Sequence, residues 1–257
     1  MGTADLHIHT TGSDGMASPE EVLEYAEHQA SLSVIAITDH DDLAPALRAR
    51  EIHARRNYRF EFVPGMEVTT IEGHVLALFV EQRVPSFRSL RSTLAAIHAQ
   101  NGLAVIPHPM SPLTRSVGQH GIERVLRGAA DGVWFDGIEL ANQSPAGRIR
   151  ARRACELNRT RFHLAEVGGS DAHYLPVIGS SFTSFHGTTA ANLRAAILSC
   201  SSSAGFGRQP SLREIGARQI ALQTARALWA TPSKVIGRPA RRALNAVGLT
   251  GLREPRR

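Results

Sequence analysis

The run Val34-Ile35-Ala36-Ile37-Thr38, followed at once by Asp39-His40-Asp41, shows the pattern that decides the fold of this chain. A short apolar run without alternation predicts a strand that is buried on both faces, as strands of a parallel sheet are. The residues that follow place an imidazole and two carboxylates at the carboxyl end of that strand. The same arrangement recurs before and after this run.

Short apolar runs of this kind alternate with segments that favour helices. Strands are predicted at residues 5–9, 34–38, 63–67, 74–80, 103–106, 137–140 and 164–167. Ser18 and Glu21 form a capping box that opens the first helix, and further helices are predicted near residues 44–56, 89–100 and 190–199. This alternation is typical of a parallel α/β fold. In a barrel of parallel strands, the carboxyl ends of the strands form the functional face.

Length and composition are those of an ordinary globular protein. The chain has 257 residues, of which 42% are hydrophobic, enough for one barrel-sized domain or two small ones. No apolar run approaches the roughly 20 residues that span a bilayer, and the first residues lack a signal-peptide pattern. A cytoplasmic location is therefore expected. Cys155 and Cys200 are far apart in sequence and are expected to be buried thiols rather than a disulfide.

The positive charge is concentrated at the end of the chain. From Arg208 onward there are eleven Lys or Arg residues against two Glu, so this segment carries +9 and the preceding residues −3. We therefore divide the chain into a catalytic-type domain at residues 1–207 and a basic, helical tail at residues 208–257. The tail is expected to pack against the barrel. The alternative is a contact with an anionic membrane surface or with nucleic acid.

Two pairs of residues two positions apart offer metal ligands on one face of a strand. His7 and His9 project to the same side, and Asp5 shares that side, where it could accept a hydrogen bond from a ligand imidazole. Asp171 and His173 repeat the arrangement after a pair of glycines. Taken alone, a His-x-His pair is weak evidence for a metal.

Other residues of the same type lie at the ends of predicted strands. Glu67 follows a Pro-Gly turn, and His108 lies between two prolines. His40 follows a buried strand, next to Asp39, which we assign a supporting role. Asp14 could instead be an ordinary turn residue, and His74 an ordinary residue at the start of a strand. Each alternative is reasonable alone, but so many such residues at strand ends together indicate a metal site.

The set contains more ligands than one ion needs, so we expect a site for two to three divalent ions. Histidine and carboxylate ligands suit Mn, Zn or Fe rather than Ca or Mg. The usual chemistry of such a site is hydrolysis. The predicted ligands are His7, His9, Asp14, His40, Glu67, His74, His108, Asp171 and His173.

Five segments together resemble a known family. They are Asp5-Leu6-His7-Ile8-His9, Thr38-Asp39-His40-Asp41, Gly65-Met66-Glu67, Pro107-His108-Pro109 and Gly169-Ser170-Asp171-Ala172-His173. In this order they resemble the polymerase and histidinol phosphatase (PHP) family over roughly residues 3–200. The resemblance implies a distorted (β/α)7 TIM-like barrel with a trinuclear metal site at the carboxyl ends of the strands.

The resemblance also implies how the ligands divide among three metals that share Glu67. The groups are His7, His9, Glu67 and Asp171; Glu67, His74 and His108; and Asp14, His40 and His173. Many relatives have a histidine at the position of Asp14, which alters the charge at that metal. Some relatives that act on nucleotides carry an insertion between the positions of Glu67 and His108. The short interval here leaves the site open, or leaves the tail to cover it.

The function implied is hydrolysis of phosphate esters of a small metabolite or nucleotide by a metal-bridging hydroxide, without a separate protein nucleophile. Arg115 and Arg148 are candidates to bind the phosphate, although ordinary solvated arginines are as good a reading. Glu139 and Asn142 are expected to support the ligands. The alternatives are an exonuclease that acts on nucleic-acid ends and a non-catalytic metal-binding scaffold. Retention of all nine ligands favours an enzyme.

Overall fold

The apolar runs form one curved, nearly closed sheet in the computed structural model, which describes residues 1–128 and 132–226. The strand order in this part of the chain is β7-β6-β5-β4-β3-β2-β1-β8-β9. A hydrogen bond of 2.9 Å from the Gly168 amide to the Thr183 hydroxyl links β7 to β8 and helps to close the barrel. The strands are β1 (Gly2–Asp5), β2 (Val34–Ile37), β3 (Glu61–Thr69), β4 (His74–Leu78), β5 (Leu103–Ile106), β6 (Gly137–Ala141), β7 (Ala165–Gly168), β8 (Ser181–Phe185) and β9 (Ser203–Phe206).

The strand directions explain why the barrel is distorted. Strands β1, β2 and β3 are parallel, as are β5, β6 and β7. Between these groups β4 runs antiparallel to both neighbours, and β8 and β9 add an antiparallel pair beside β1. The predicted class, a distorted TIM-like barrel, is confirmed. The antiparallel strands were not anticipated, because an apolar run carries no information about its direction.

Helices cover the sheet and connect most of its strands. The capping box predicted at Ser18 and Glu21 is present at the start of α1. The helices are α1 (Pro19–Gln29), α2 (Ala44–Ala54), α3 (Leu90–His98), α4 (Gln119–Arg127), α5 (Pro145–Arg148), α6 (Ala151–Leu157), α7 (Ala190–Leu198) and α8 (Leu212–Ile215). A π-helical turn (Asn158–Phe162) follows α6, a 3-10 turn (Leu175–Val177) precedes β8, and residues 217–226 are helical.

Alternate strand residues separate into two buried apolar clusters. Ile35 and Ile37 of β2 belong to the larger one, whereas Val34 belongs to a second cluster that includes Leu193 of α7. The first amide of α7 donates to Glu61, at the amino end of β3. Helix α7 therefore closes the end of the barrel opposite the carboxyl ends of the parallel strands, which leaves those ends available for a site.

The described part of the predicted tail, residues 208–226, packs against the barrel, and residues 227–257 lie outside the described residues. Nothing in its described part supports contact with a membrane surface. Among the described helices none is long and apolar enough to cross a membrane. Cys155 and Cys200 are free thiols as expected, but both are exposed rather than buried, because each lies on a helix or turn at the surface.

Candidate metal centre

His7 and His9 lie just beyond β1, which ends at Asp5, not within a longer strand as predicted. Their segment stays extended because it pairs with residues 171–173. The His9 amide donates to the carbonyl of Ala172 over 2.9 Å, and the Ala172 amide donates to that of His7 over 3.2 Å. The two ligand-type segments, which are far apart in sequence, thus run side by side.

Glu67 lies at the centre of the cluster and is fully buried. Its Oε1 lies 2.8 Å from Nδ1 of His74 and 3.0 Å from Nε2 of His108. Its Oε2 lies 3.0 Å from Nδ1 of His40 and 3.4 Å from Nε2 of both His7 and His9. One carboxylate therefore faces five imidazoles, two with one oxygen and three with the other.

His74 reaches this cluster because β4 runs antiparallel. In the β3–β4 register Thr69 pairs with His74, so the first residue of β4 lies at the carboxyl end of β3. A residue at the start of a parallel strand would lie at the opposite end of the barrel. The structure thus places His74 among the other ligand-type residues, within reach of Glu67.

The remaining three predicted ligands complete the cluster. Oδ1 of Asp171 lies 3.5 Å from Nε2 of His7 and 3.3 Å from that of His9. Oδ2 of Asp14 lies 3.2 Å from Nε2 of His173, and its Oδ1 lies 3.9 Å from nitrogens of both His9 and His40. The structure therefore brings all nine residues together.

These residues form four overlapping groups in which the potential ligand atoms lie within 4.8 Å of one another. Three groups differ from the predicted sets: His9 also lies with Asp14, His40 also lies with Glu67, and His108 lies with His7 and Asp171. The groups are His9, Asp14, His40 and His173; His7, His108 and Asp171; His7, His9 and Glu67; and His40, Glu67 and His74.

Several polar atoms of the cluster are buried without a hydrogen-bond partner. They include both ring nitrogens of His9 and Oδ1 of Asp14. An unpartnered buried polar atom costs about 1–3 kcal/mol, so a native fold rarely keeps several together. Coordination of a cation would satisfy all of them. Nitrogen and carboxylate donors without a thiolate fit divalent Mn, Zn or Fe.

The electrostatics of the cluster keep several donors in the form that binds a cation. Burial, together with His173 and His40, lowers the pKa of His9 to about 3, so its ring is neutral. Burial alone would raise the pKa of Glu67, but His40, His74 and His7 outweigh it and hold that pKa well below its usual range. The Asp171 pKa is likewise held well below its usual range, by His7 and His9 against the effect of burial.

Glu139 contacts the cluster from β6. Its Oε1 lies 3.0 Å from Nδ1 of His7. Its Oε2 accepts hydrogen bonds of 2.7 Å from the His108 amide and from the Asn142 side chain. A carboxylate on the outer nitrogen of a ligand histidine fixes its tautomer and orientation. Glu139 therefore orients His7 and the backbone of His108 together.

Asp39 and Asp5 support loops rather than imidazoles. Asp39 accepts hydrogen bonds from the amide and hydroxyl of Thr10 and from the hydroxyl of Ser13, which holds the loop that carries Asp14. The expectation that Asp5 accepts a hydrogen bond from a ligand imidazole is wrong. Asp5 accepts from the amides of His7, Ser170 and Gly179, and burial raises its pKa to about 6.

Two further residues, Ser116 and Asp41, support the cluster and were not predicted from the sequence. The Ser116 hydroxyl lies 2.8 Å from Nδ1 of His108. Asp41 accepts from the amide and the hydroxyl of Thr69, which ties the segment after His40 to the end of β3. A supporting role for Asp41 could have been predicted from its position directly after the ligand-type residue His40. Ser116 carries no such signal, because it reaches His108, eight positions earlier in the chain, only through the fold of the loop between them.

A cavity of about 630 Å³ opens above the cluster, with His108, Asp171 and His173 among the residues of its floor. Arg148 of α5 lines its wall. Arg115 does not line it. The Arg115 guanidinium donates instead to the carbonyl of Thr70 over 3.3 Å, so its predicted role has no support from the geometry.

Comparisons with known proteins agree with this architecture. A model of the PHP-associated family matches residues 150–200. The uncharacterized protein MJ1587 of Methanocaldococcus jannaschii is 32% identical over 150 residues, which are 54% of this chain and 81% of that protein. The 5'-3' exoribonuclease Rnm of Salmonella typhimurium is 28% identical over 54% of this chain, and the 3',5'-nucleoside bisphosphate phosphatase of Chromobacterium violaceum is 29% identical over 58%.

The chain spans only 43% of that exoribonuclease and 49% of that phosphatase. A solved structure extends the likeness to most of the fold. It is a two-domain protein of Bacteroides vulgatus containing a predicted PHP-like metal-dependent phosphoesterase, with a TM-score of 0.64 and 18% identity. The match covers 88% of this chain and 69% of that one. With the barrel and the convergent His, Asp and Glu residues, these findings show that the chain belongs to the PHP family of metal-dependent phosphoesterases.

Proposed function

We propose that this protein is a metal-dependent phosphomonoesterase that acts on a small phosphorylated metabolite or nucleotide. The observation that carries the proposal is the convergence of nine ligand-type residues, of which His9 and Asp14 hold buried polar atoms without a hydrogen-bond partner. Two to three divalent ions of Mn, Zn or Fe would be held by His7, His9, Asp14, His40, Glu67, His74, His108, Asp171 and His173. When bound, such ions lower the pKa of water and neutralise charge on the phosphoryl group.

The chain's own residues contribute position and charge. Glu67 stays ionised among five imidazoles and is placed to bridge two ligand groups. Glu139 holds His7 in one orientation, and Asp39 holds the loop that carries Asp14. Arg148 faces the cavity, where its guanidinium can bind a phosphate oxygen or another anionic group of the substrate.

The size of the cavity favours a small substrate. About 630 Å³ lies within the range of pockets that enclose small ligands. Of the aromatic residues in the described chain, Tyr174 is the one that lines it, so it lacks the row of stacking rings typical of single-strand binding proteins. The kinship with a nucleoside bisphosphate phosphatase supports the same substrate class.

The second candidate is a 5'-exonuclease, the activity of the Salmonella relative. One observation favours it. Arg150 and Arg152 are exposed beside Arg148, and no ion pair involves them in the described residues. A row of cations leading from the cavity could follow a nucleic-acid backbone.

The test measures bound metal by mass spectrometry and phosphate release after reconstitution with manganese, for wild type, His9→Ala and His120→Ala. The substrates are p-nitrophenyl phosphate, mononucleotides and a 5'-phosphorylated RNA oligonucleotide. His120 is exposed on α4 and serves as the matched control. We expect wild type and His120→Ala to bind two to three metals per chain and to hydrolyse the small esters. His9→Ala should lose both properties. Release of mononucleotides from RNA, with the small esters untouched, would favour the exonuclease. A wild type that binds metal but releases no product from any of these substrates would indicate a non-catalytic scaffold, and one that binds no metal would contradict the proposal.

A further inference from the structure

The segment formed by residues 208–226 crosses the open end of the barrel beside the cluster of ligand-type residues. At its start, the Gly207 amide donates to the carbonyl of Ser180 over 2.9 Å, and Gln143 donates to the carbonyl of Gly207. Pro210 is buried. Farther along, Arg226 donates to the carbonyl of Thr11 over 3.3 Å, in the loop between His9 and Asp14. The segment is therefore attached on two sides of the site.

One face of this segment is directed at the barrel. Ile215, Ile220 and Gln223 are partly buried, and the Tyr174 hydroxyl lies 3.5 Å from Oε1 of Gln223. Leu222 points the other way and is 45% exposed. Ile220 and Gln223 are three residues apart and so share a face of the helix. The face next to the site is therefore distinct from the solvent face.

The cavity has a polar floor, and its walls carry apolar side chains together with uncharged polar ones. Its floor includes the carboxylates and imidazoles of the cluster, and Arg148 is the one Lys or Arg side chain among the described residues that line it. The barrel side of the wall contributes Leu113, Tyr174 and Val177, and the C-terminal segment contributes Leu212, Ile215 and Ile220. A phosphate held at the floor would direct the rest of its molecule between these two apolar surfaces.

We propose that the C-terminal segment completes a subsite for the organic group of the substrate and determines specificity. The subsite takes a compact, apolar group about as large as an aromatic ring, attached to the phosphate. This inference rests on the proposed phosphoesterase function. Burial of apolar surface contributes about 25 cal/mol per Å², so a ring between the two walls strengthens binding without any contact to the metals.

The test compares two non-hydrolysable phosphonates that share the head group and differ in the organic group. Methylphosphonate reports on the floor alone, and benzylphosphonate reports on the floor and the walls. Binding to the full-length, manganese-loaded protein is measured by calorimetry. We expect benzylphosphonate to bind about tenfold more tightly than methylphosphonate. The double variant Ile215→Asn/Ile220→Asn should lose most of this ratio while it binds methylphosphonate as wild type does.

Leu222→Asn is the matched control, because it makes the same kind of change on the opposite face, and its ratio should stay that of wild type. Leu113→Asn tests the barrel side of the wall independently of the segment and should also lower the ratio. An equal ratio in wild type and in both wall variants would overturn the subsite and leave the phosphoesterase function standing. A wild type that binds neither phosphonate would overturn both.

Discussion

Nε2 of His108 lies 3.0 Å from Oε1 of Glu67, although 41 residues separate them in the chain. This contact joins the loop after β5 to the middle of the cluster. The other oxygen of Glu67 faces His40 and His7, so one carboxylate spans two groups of ligand-type residues. Loss of its charge should affect both groups at once.

Glu67→Gln should therefore remove more than one metal ion, because an amide is a poorer bridging ligand than a carboxylate. We expect at least one metal per chain to be lost, and kcat/KM to fall by about 10³-fold, as for other groups that stabilise developing charge. Mass spectrometry of the reconstituted protein and phosphate release give the two readouts.

Glu166→Gln is the matched control for Glu67→Gln. Glu166 is also on a strand, β7, but its side chain is exposed. Its substitution should leave metal content and rate within twofold of wild type. Full metal occupancy in Glu67→Gln would show that the carboxylate is not a shared ligand.

Glu139→Gln tests the support of a ligand rather than a ligand itself. The amide can replace only part of the hydrogen bonding to His7, the His108 amide and Asn142. Removal of such support weakens metal affinity by about 10–100-fold. Competition with a metal indicator measures this affinity, and the folded state is checked by circular dichroism. Unchanged affinity in a folded variant would show that His7 is oriented by other contacts.

Most of the ligand-type residues could be predicted from the sequence because they follow apolar runs, whereas Asp14 lies in a turn and His74 begins a strand. His40 and His108 could be assigned in this way, since a parallel barrel collects such ends at one face. The role of Asp5 could not be assigned correctly. Its acceptor role depends on the amides of Ser170 and Gly179, which approach only when distant segments pair.

The direction of strands was the main feature of the fold that local patterns could not supply. The run that forms β4 has the same composition whether it is parallel or antiparallel, and the direction follows from its short connection to β3. The exposed position of Cys155 was missed for a related reason. Cysteine is often buried, but in α6 the buried residues are Ala154 and Leu157, and Cys155 lies on the exposed face.

Gly169→Ala should disturb the cluster through close contact alone. A Cβ atom at residue 169 would lie 2.6 Å from Oε1 of Glu139 and 2.6 Å from Cβ of His7. Both neighbours are fixed, so we expect a loss of about 1–3 kcal/mol in the free energy of unfolding, with weaker metal binding. Gly118→Ala is the control, since a Cβ there meets nothing within 4 Å. Equal thermal stability of the two variants would contradict the expectation.

Arg148→Ala and Arg115→Ala separate the two arginines considered for phosphate binding. Arg148 lines the cavity, whereas Arg115 donates to the carbonyl of Thr70. Loss of a charged hydrogen bond to substrate costs about 1.5–3 kcal/mol, so Arg148→Ala should lower kcat/KM by about 10–100-fold. Arg115→Ala should change it less than threefold. A larger loss in Arg115→Ala would assign the phosphate contact to the other arginine.

Metal binding should be coupled to the release of a proton from His173. Burial alone would lower the pKa of His173, but Asp14 outweighs it and raises the pKa to about 9 in the metal-free protein. The imidazole is then protonated at neutral pH, and a cation must displace that proton. Affinity at this position should therefore increase about tenfold per pH unit between pH 6 and 8, and level off near pH 9.

Calorimetric titration with manganese in two buffers of different ionisation enthalpy counts the protons released. We expect wild type to release protons when it binds manganese at pH 7. His173→Ala should release about one proton per chain fewer, because that variant lacks the titrating ring. The direction of the pH dependence is the decisive result, because protons compete with the metal ion for His173 only at a pH below the pKa of His173. An affinity that is constant from pH 6 to 8, with no proton released, would show that Asp14 and His173 do not form a charged pair before the metal binds.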